Sequence, residues 1–336
     1  MTTLTEVAAA AGVSTATVSH VINSTRYVSP TTIEKVQEAI ARTGYRPNPY
    51  ARALRTASTE SVGFVASDIS NPYSTAVMRG IAAALRDASH TMLVADANDD
   101  PSLERDAIDA LVHRRVDGLI IAPTTAVDAV TFEQIEGSGV PVVLIDRAVP
   151  LPLDQVLVEN IGSVASLVGD MLDAGHSRVG IIAGRSDHST TTERLAGWRL
   201  AHEQRGIPVD ESLIAVGATD SERARAGTAG LLDRVDRPTA IFSTSNVESL
   251  GALRAIKAAG LTIPGDITFT AFDDIEWADL LDAPLTCLAQ PTTEIGRQAV
   301  ELLLRRLADP SVEHRVVRLA PELRRRGSVQ APAFRA

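Results

Sequence analysis

Residues 3–26 narrow the choice of folds more than any other segment of the 336-residue chain. Thr3 and Glu6 have the spacing of a capping box, which starts a helix by satisfying its first free amide groups. Gly12 can take the left-handed conformation that ends a helix, and Ser14 is a favourable N-cap for a second one. The segment therefore predicts two capped helices joined by a tight turn, which is a helix-turn-helix.

The second predicted helix has one apolar side and one polar side. Val18, Val21 and Ile22 recur at helical spacing and are expected to be buried. The other side carries short side chains, which allow a helix to approach base edges in the DNA major groove. A helical subdomain that binds no DNA would not need this polar side. The residues predicted to contact DNA here are Thr15, Ala16, Thr17, Ser19, His20, Asn23 and Arg26.

A third helix is predicted from Ser29-Pro30 to about Arg42, with Gly44 at its end. The segment after it, about 48–56, favours a helix but is too short to be stable alone. These segments together form a small helical headpiece, residues 1–57, and the short last segment is a candidate hinge between the headpiece and the rest of the chain.

Charge divides the chain in the same place. The headpiece carries six Arg or Lys and three Glu, a net charge of +3, whereas the whole chain has a net charge of -10. An acidic body with a basic headpiece confines the attraction for phosphate to one end of the molecule. Because a surplus of three positive charges is small, specific affinity for DNA should require two headpieces bound to one palindromic site. We therefore predict a homodimer that binds palindromic double-stranded DNA.

Residues 58–336 show short β-branched runs that alternate with longer amphipathic stretches, which is typical of parallel sheets covered by helices. A Val-Gly-apolar-apolar-Ala run at 62 is echoed at 179, so we predict two similar doubly wound α/β lobes behind the all-α headpiece. The buried strands are predicted in two sets of four, at 62–66, 92–95, 118–122 and 142–145, and at 179–183, 213–216, 240–243 and 267–272.

Polar residues directly follow most of these predicted strands, at the sheet edge where ligands of doubly wound folds bind. Carboxylates and amides suit a sugar or another polyol, because each buried hydroxyl is both a donor and an acceptor. Trp198 has core spacing, whereas Trp277 lies in a loop and could stack on a sugar. The candidate ligand-binding residues are Ser70, Asn71, Tyr73, Asn98, Asp146, Arg147, Asn160, Arg194, Asn246, Asp273, Trp277 and Gln290. For Arg147 and Asn160, contact with the ligand and bracing of a loop are both open.

The headpiece, followed by Gly-Tyr-Arg-Pro-Asn at 44–48 and Ala-Arg-Ala-Leu-Arg at 51–55, resembles the lactose/purine repressor family of bacterial transcription regulators, and the likeness continues along the whole chain. It implies a body like the type I periplasmic binding proteins, with the chain crossing between lobes near 159–162, 289–291 and 318–322. The lobe ranges that follow are about 60–160 with 290–319, and about 161–289 with 320–330.

The resemblance also implies a hinge helix that forms when two copies meet in the DNA minor groove. There Leu54 would be pushed between base pairs, at a cost of a few kcal/mol in stacking energy that closer contact with bent DNA offsets. Tyr45, Arg52, Ala53 and Arg55 are the accompanying candidates for DNA contact. Residues 13–23 resemble the purine-repressor branch in particular, except that Ala16 stands where that branch has a hydroxyl.

In the predicted cleft, Arg194 matches the ligand-binding arginine of the family and Asp273 matches the aspartate of its Phe-Asp-Asp motif. Val247 departs from the family, which commonly has an acid after the asparagine at 246, and so removes one hydroxyl acceptor. Ser74 and His188 stand where the purine branch has an aromatic ring and an arginine. These departures favour a carbohydrate effector over a purine.

The predicted function is a ligand-responsive repressor of carbohydrate-uptake or catabolism genes, which a sugar releases from its operator. A purine-type corepressor is the alternative, and the sequence does not decide whether the ligand releases or recruits DNA. An α/β enzyme is disfavoured, since the chain has no dinucleotide, Walker or nucleophile-elbow motif. We predict no catalytic residue, no cofactor and no metal site.

The remaining features concern cysteine, membranes and the C-terminus. Cys287 is the single cysteine, which excludes an internal disulfide, and it is expected to be buried. Without a signal peptide or an apolar run long enough to span a bilayer, the protein is expected in the cytoplasm and not in a membrane, which also argues against a transport binding protein. The arginines at 324–326 are predicted to be a solvated strand end, with no leucine heptads to build a larger oligomer.

Overall fold

The computed structural model describes residues 2–23, 25–45, 58–125, 129–217, 220–276 and 278–332. The chain divides into two compact units, residues 1–59 and 60–336. The first unit is helical, with α1 at Leu4–Ala11, α2 at Thr15–Asn23 and α3 at Pro30–Thr43. The second unit contains two parallel-stranded sheets covered by helices, so the predicted fold class is confirmed.

The caps that the sequence predicts in the headpiece are present. The Thr3 backbone amide donates to the Glu6 carboxylate at 2.7 Å, and the Glu6 amide donates to the Thr3 hydroxyl at 3.3 Å, which completes the capping box. Gly12 ends α1 with φ of +67°, a conformation that an L side chain adopts only with strain. The Ser14 hydroxyl accepts from the Thr17 amide at 3.1 Å and caps α2.

The headpiece has a small core of its own, made by Val7, Ala8, Val18, Val36 and Ala39. Of the three residues predicted as the buried side of α2, only Val18 is fully buried, whereas Val21 and Ile22 are half-buried at the margin of this core. A three-helix unit of this size cannot enclose a complete apolar stripe.

The start of α3 follows the prediction in position but not in chemistry. The Ser29 hydroxyl contacts the hydroxyls of Thr31 and Thr32 and makes no hydrogen bond to the helix backbone. Pro30 still begins the helix because its ring sets a helical φ and it lacks the amide that would need a cap.

The first sheet of the body has six parallel strands in the order β11-β5-β4-β3-β1-β2. Two of its helices, Pro72–Asp87 and Thr292–Ala308, cross so closely that a Cβ on Gly296 would clash with the backbone of Ile81. Its elements are β1 (Ser61–Ala66), α4 (Pro72–Asp87), β2 (Thr91–Asp96), α5 (Pro101–His113), β3 (Gly118–Ile121), α6 (Ala129–Ser138), β4 (Val142–Asp146), β5 (Asp154–Val158), α11 (Thr292–Ala308) and β11 (Val316–Leu319).

The second sheet has the order β12-β10-β9-β8-β6-β7, with β12 antiparallel to β10. Trp198 is fully buried in this lobe, with its indole donating to the Val179 carbonyl, and Cys287 is buried, as predicted for both. The elements are α7 (Ile161–Asp173), β6 (Val179–Ile182), α8 (Ser189–Gln204), β7 (Ile214–Ala215), α9 (Ser221–Leu232), β8 (Ala240–Ser243), α10 (Asn246–Ala258), β9 (Thr268–Phe272), β10 (Thr286–Ala289) and β12 (Glu322–Arg324).

Some of the strand predictions were wrong or incomplete. β2 was predicted as buried, but it forms an edge of its sheet and is half-exposed, because it pairs only with β1. At 213–216 only two residues form a strand, after a 3-10 turn at Glu211–Leu213. The strands β5, β10, β11 and β12 were not predicted. All four lie directly before or after a passage of the chain from one sheet to the other.

Candidate ligand-binding cleft and DNA-binding surface

Two aspartates mark the carboxyl ends of equivalent strands in the two lobes. Asp146 ends β4 and Asp273 follows β9, and they have φ values of +71° and +73°. Positive φ is uncommon for residues other than glycine, and such strained residues cluster at ligand sites. Both aspartates line the same cavity of about 130 Å³ between the lobes.

The cavity has a strongly polar wall. The first lobe contributes Ser67, Asp68, Asn71, Tyr73, Asp99, Asp146 and Arg147, and the second contributes Gly184, Arg185, His188, Thr190, Thr191, Arg194, Thr244, Ser245, Val247, Glu248 and Asp273, with Gln290 from the passage between the lobes. We call this cavity and its wall the cleft.

Arg194 is the central cation of the cleft. It is buried, and its Nε donates to the Asn160 side-chain oxygen at 2.9 Å while Nη1 donates to the Thr244 carbonyl at 2.6 Å. The guanidinium lies over the Phe272 ring, 3.5 Å from its centre, which adds a cation–π contact. These contacts hold the guanidinium in one orientation at the cavity wall.

Arg147 and His188 face each other across the cleft. Arg147 donates to Asp99 at 3.0 Å and to the Pro123 carbonyl at 2.6 Å, so it braces loops and lines the cavity at once. Burial, reinforced by the Arg147 charge, lowers the pKa of His188 to about 4, which keeps the imidazole neutral near pH 7. His188 therefore does not supply the positive charge of an arginine.

The acids of the second lobe are deeply buried. Asp273 accepts from Gln290 at 2.6 Å and from the Asn246 amide at 3.2 Å, and burial raises its pKa. Glu248, on the first turn of α10, has a pKa of about 7, raised mainly by burial. Glu248 did not figure among the predicted residues, although it directly follows Val247, where the sequence suggested that an acceptor had been lost.

Several buried polar atoms of the cleft have no hydrogen-bond partner among the described residues. They are Tyr73 Oη, Arg147 Nε, His188 Nε2, Glu248 Oε2 and Gln290 Oε1. Burial, followed by the negative charges of Asp146 and Asp273, raises the pKa of Tyr73, so its hydroxyl stays protonated and can donate. Unpartnered buried donors and acceptors are costly, and a ligand with several hydroxyl groups would satisfy both kinds.

The structure brings together seven of the predicted ligand-binding residues at the cavity wall: Asn71, Tyr73, Asp146, Arg147, Arg194, Asp273 and Gln290. Ser70 and Asn98 are exposed and do not line the cavity. They lie in the outer part of the turns that follow β1 and β2. Asn160 is buried behind the wall, where it accepts from Arg194. Trp277 lies outside the described residues.

Asn246 joins the lobes and is absent from the cavity wall. Its side-chain nitrogen donates to the Asn71 side-chain oxygen at 2.8 Å. The Ala148 amide donates to the Ser189 hydroxyl at 2.8 Å, and Arg318 lies 2.8 Å from Glu193, so the lobes also touch at two further points. These contacts join the two lobes beside the cleft.

Asp274 has a different role from its neighbour Asp273. It contacts Arg324 and lies 2.7 Å from Arg326. Burial by itself would raise the pKa of Asp274, but the hydrogen bonds from Arg326 and Arg324 together outweigh burial and lower the pKa to about 2. Arg324 and Arg325 are exposed at the end of β12, as predicted for a solvated strand end, whereas Arg326 is half-buried. All three also pair with acids, since Arg325 lies 2.8 Å from Asp170.

The headpiece presents the predicted DNA-contact residues in two groups. Thr15 and Ala16 at the start of α2 are exposed, as is Arg26. The half-buried residues are Thr17, Ser19, His20 and Asn23. Asn23 donates to the Ser19 carbonyl at 2.7 Å, and His20 contacts the Thr25 hydroxyl at 2.8 Å, so both must turn to reach a base.

Tyr45 packs at the margin of the headpiece core. The hinge candidates Arg52, Ala53, Leu54 and Arg55 lie outside the described residues. No helix in the described ranges combines the length and the apolar character needed to cross a membrane.

The helical headpiece and the two-lobed body define a DNA-binding regulator class, and comparisons with known proteins agree. The model "Bacterial regulatory proteins, lacI family" matches residues 3–48, and the "Periplasmic binding protein-like domain" matches residues 168–329. The chain is 33% identical to the HTH-type transcriptional repressor PurR of Photobacterium profundum, over 98% of this chain and 99% of that protein. It is also 33% identical to the ribose operon repressor of Haemophilus influenzae, over 96% of each.

Solved structures show the same similarity. The lac repressor dimer bound to operator and the anti-inducer ONPF superposes with a TM-score of 0.87 at 26% identity, covering 98% of this chain and 99% of that one. A complex of the transcriptional regulator CelR with cellobiose has a TM-score of 0.74 at 30% identity, covering 98% and 100%. The chain belongs to the lacI family of bacterial regulatory proteins, which are DNA-binding transcription regulators and not enzymes.

Proposed function

We propose that this protein is a repressor that binds a palindromic operator as a homodimer and is released when a sugar binds the cleft. The observation that carries the proposal is that one chain combines a helix-turn-helix headpiece with a cleft whose buried donors and acceptors are unpartnered. Such atoms suit a polyhydroxylated ligand. A regulator that acts on chromosomal operators works in the cytoplasm.

Two relatives support a sugar effector. The ribose operon repressor of Haemophilus influenzae and the CelR–cellobiose complex are named for sugars or their genes, at 33% and 30% identity. In the cleft, Arg194, Asp273 and Gln290 offer one cationic donor, one carboxylate and one amide. A sugar with adjacent hydroxyl groups can bind all three at once.

The proposed mechanism couples the cleft to DNA through the angle between the lobes. The Asn71–Asn246 hydrogen bond and the Arg318–Glu193 ion pair connect the lobes, so a ligand that changes these contacts favours one arrangement. In a dimer, a change in angle alters the spacing of the two hinge segments. The size of the switch is limited by the difference in the free energy of ligand binding between the two arrangements.

For the DNA interface, we propose that Thr15, Ala16 and Arg26 contact the operator directly and that Leu54 is the minor-groove wedge. Leu54→Ala should reduce specific operator affinity while preserving the salt-dependent nonspecific binding, because phosphate contacts do not need the wedge. Equal specific affinity of the variant and the parent, measured by fluorescence anisotropy, would remove the wedge from the proposal.

A purine corepressor is the second candidate, because the PurR of Photobacterium profundum is as similar in sequence as the ribose operon repressor. The cleft weighs against it. Ser74 is buried outside the cavity wall and offers no ring for stacking, and His188 is neutral near pH 7. A planar purine has few donors for the carboxylates of this wall.

The deciding experiment measures DNA binding and ligand binding on the full-length protein. An operator is selected from a random double-stranded pool, and the protein is then screened by thermal shift against pentoses, hexoses, disaccharides, sugar phosphates and purines. A ligand at 100 times its Kd should stabilise the ligand-binding unit by about 2.7 kcal/mol. A sugar that shifts the melting temperature and releases the operator supports the proposal, whereas a purine that strengthens operator binding would replace it with the corepressor mechanism.

A further inference from the structure

Glu248 is the feature of the cleft that a neutral sugar explains least well. It lies on the first turn of α10, lines the cavity and is 4% exposed. Its Oε2 atom is buried without a hydrogen-bond partner among the described residues. A buried carboxylate oxygen without a donor is unfavourable, so a ligand group that donates a hydrogen bond to Glu248 would stabilise the ionised side chain.

The groups that face Glu248 do not neutralise it. Arg194 from α8 is its nearest cation, Asp273 after β9 is a like charge, and Ser245 at the cap of α10 is a neutral donor. Arg194 is already engaged by Asn160 and the Thr244 carbonyl. Among the ion pairs of the described chain, none within 4.0 Å includes Glu248.

The wall as a whole has an excess of negative charge. It carries five carboxyl groups, on Asp68, Asp99, Asp146, Glu248 and Asp273, and three guanidinium groups, on Arg147, Arg185 and Arg194. The Arg185 charge is directed to Asp187, outside the wall, at 2.6 Å. When all five carboxyl groups are ionised the wall carries a net charge of -2, which favours a cationic ligand and disfavours an anionic one.

We propose, building on the sugar-responsive function above, that Glu248 determines the charge of the effector: the cleft selects an amino sugar, whose protonated amine donates to Glu248, and excludes sugar phosphates and sugar acids. Burial raises the pKa of Glu248 to about 7, so an ammonium group in contact with it would favour the ionised carboxylate. The neighbouring hydroxyl groups of the sugar then bind Arg194, Asp273 and Gln290.

The test compares matched ligands on the full-length protein by calorimetry at pH 7.5. The sets are a neutral hexose, its 2-amino derivative and its 6-phosphate, in the gluco, galacto and manno configurations. In at least one set the amino sugar should bind about tenfold or more tightly than the neutral hexose, a difference of about 1.4 kcal/mol, and the phosphate should bind least. Glu248→Gln should bring the ratio between amino and neutral sugar close to one.

Glu203→Gln is the matched control, because Glu203 is an exposed residue of α8 and its replacement changes the net charge equally. The control should keep the selectivity for the amino sugar. Operator binding by each variant verifies that the protein is folded.

Three results would overturn the proposal: no amino sugar binds, a neutral or phosphorylated sugar binds more tightly than its amino counterpart in every set, or Glu248→Gln keeps the selectivity. A neutral sugar that binds and releases the operator would leave the proposed function standing and remove only the charge selection. If no sugar in the wider screen binds, both the charge selection and the sugar-responsive function are overturned. Operator binding is measured independently of this screen.

Discussion

The headpiece and the cleft are held together by contacts of very different range along the chain. The capping box joins residues three positions apart, and the Ser14–Thr17 cap has the same separation. In the cleft, Arg194 reaches the Thr244 carbonyl 50 positions away, and Asn71 meets Asn246 across 175 positions. Local contacts depend on few neighbours, whereas the cleft exists only when both lobes are folded and close together.

The two regions also differ in how they treat polar groups. The headpiece satisfies its helix ends with short side chains at the surface, where water can replace a lost bond at little cost. The cleft buries carboxylates, a guanidinium and a phenol together, so each lost partner leaves a group without water. Substitutions in the cleft should therefore have larger effects than substitutions in the headpiece.

Arg194→Leu should have the largest effect. It removes the guanidinium that donates to the Asn160 side-chain oxygen and to the Thr244 carbonyl, and with it the positive charge that acts on Asp273 and Glu248. We expect the body to lose about 3 kcal/mol or more of unfolding free energy, and ligand binding to be lost. Urea unfolding with a calorimetric ligand titration measures both.

Arg199→Leu provides the control on the same helix. Arg199 is exposed and pairs with Glu211 at 2.7 Å, so its loss should change stability by less than about 1 kcal/mol. Equal losses in the two variants would contradict the distinction between buried and exposed charges that we draw here.

Glu248→Gln should stabilise the body in a pH-dependent way. The folded-state pKa of about 7 lies above 4.5, the ordinary value of a glutamate side chain, so the folded protein binds the proton more tightly than the unfolded chain. The contribution of Glu248 to the free energy of unfolding of the parent is therefore complete below about pH 4.5. It falls as the pH rises to about 7 and then levels off. Because the glutamine of the variant does not titrate, the free energy of unfolding of the variant should exceed that of the parent by up to about 3 kcal/mol at pH 8, and the two should be equal near pH 4.5.

The measurement is urea unfolding of both proteins across this pH range. A constant difference between variant and parent at every pH would show that Glu248 does not titrate in the folded protein as its burial implies. Glu203→Gln, with an exposed side chain, should follow the parent at each pH.

Gly12→Ala tests the headpiece at the turn between α1 and α2. A Cβ there would meet no atom within 4 Å, so the expected loss of roughly 1 kcal/mol comes from the left-handed backbone alone. Hydrogen exchange of the α1 and α2 amides in the full-length protein should become faster, while exchange in the body is unchanged.

Gly230 in α9 is the control for Gly12. A Cβ at Gly230 would also meet no atom within 4 Å, but its backbone is helical and not left-handed. Gly230→Ala should stabilise its helix by about 0.5–1 kcal/mol. Opposite signs for the two substitutions are the expected outcome, and the same sign for both would show that backbone conformation does not decide the effect.

Asn71→Ser should have the smallest effect and tests the link between the lobes. Serine keeps the N-cap of α4, where Asn71 accepts from the Tyr73 amide at 2.9 Å, but it is too short to reach Asn246. In a double-mutant cycle with Asn246→Ala, we expect a coupling energy of about 0.5–1 kcal/mol in unfolding free energy.

Asp100→Ser is the control. Asp100 is the N-cap of α5, and in the described part of the chain its side chain bonds to the start of that helix and not to the second lobe. It should show no coupling with Asn246→Ala. A coupling of similar size for both caps would place the Asn71 effect in the helix end and not in the contact between lobes.

Much of the fold could be predicted from local patterns. The caps at Thr3, Ser14 and Gly44, and most of the buried parallel strands, follow from propensity and periodicity, which act within a few residues. The exposure of β2 and the placement of β11 and β12 depend on which strand lies at a sheet edge. That is set by the order of strands in space, which neighbouring residues do not encode.

Some residues of the cleft could be predicted from local patterns and others could not. Residues directly after strands, such as Asp146 and Asp273, could be predicted because all parallel strands end at one edge of their sheet. Glu248 could not, since a glutamate in the first turn of a helix is ordinarily exposed and favourable to the helix dipole. In the folded protein it lies among Ser245, Arg194 and Asp273, of which Arg194 and Asp273 are distant in the chain.

The amino-acid sequence by itself determined the helix-turn-helix, the two-lobed α/β body and the family, because caps, glycine turns and apolar spacing act locally and leave a readable pattern. Only the tertiary structure decided that Asn246 joins Asn71, that Asp274 is bound by Arg324 and Arg326, and that Glu248 is buried beside Arg194. These contacts bring together residues distant in the chain, and their charges and pKa values depend on which groups exclude water from one another.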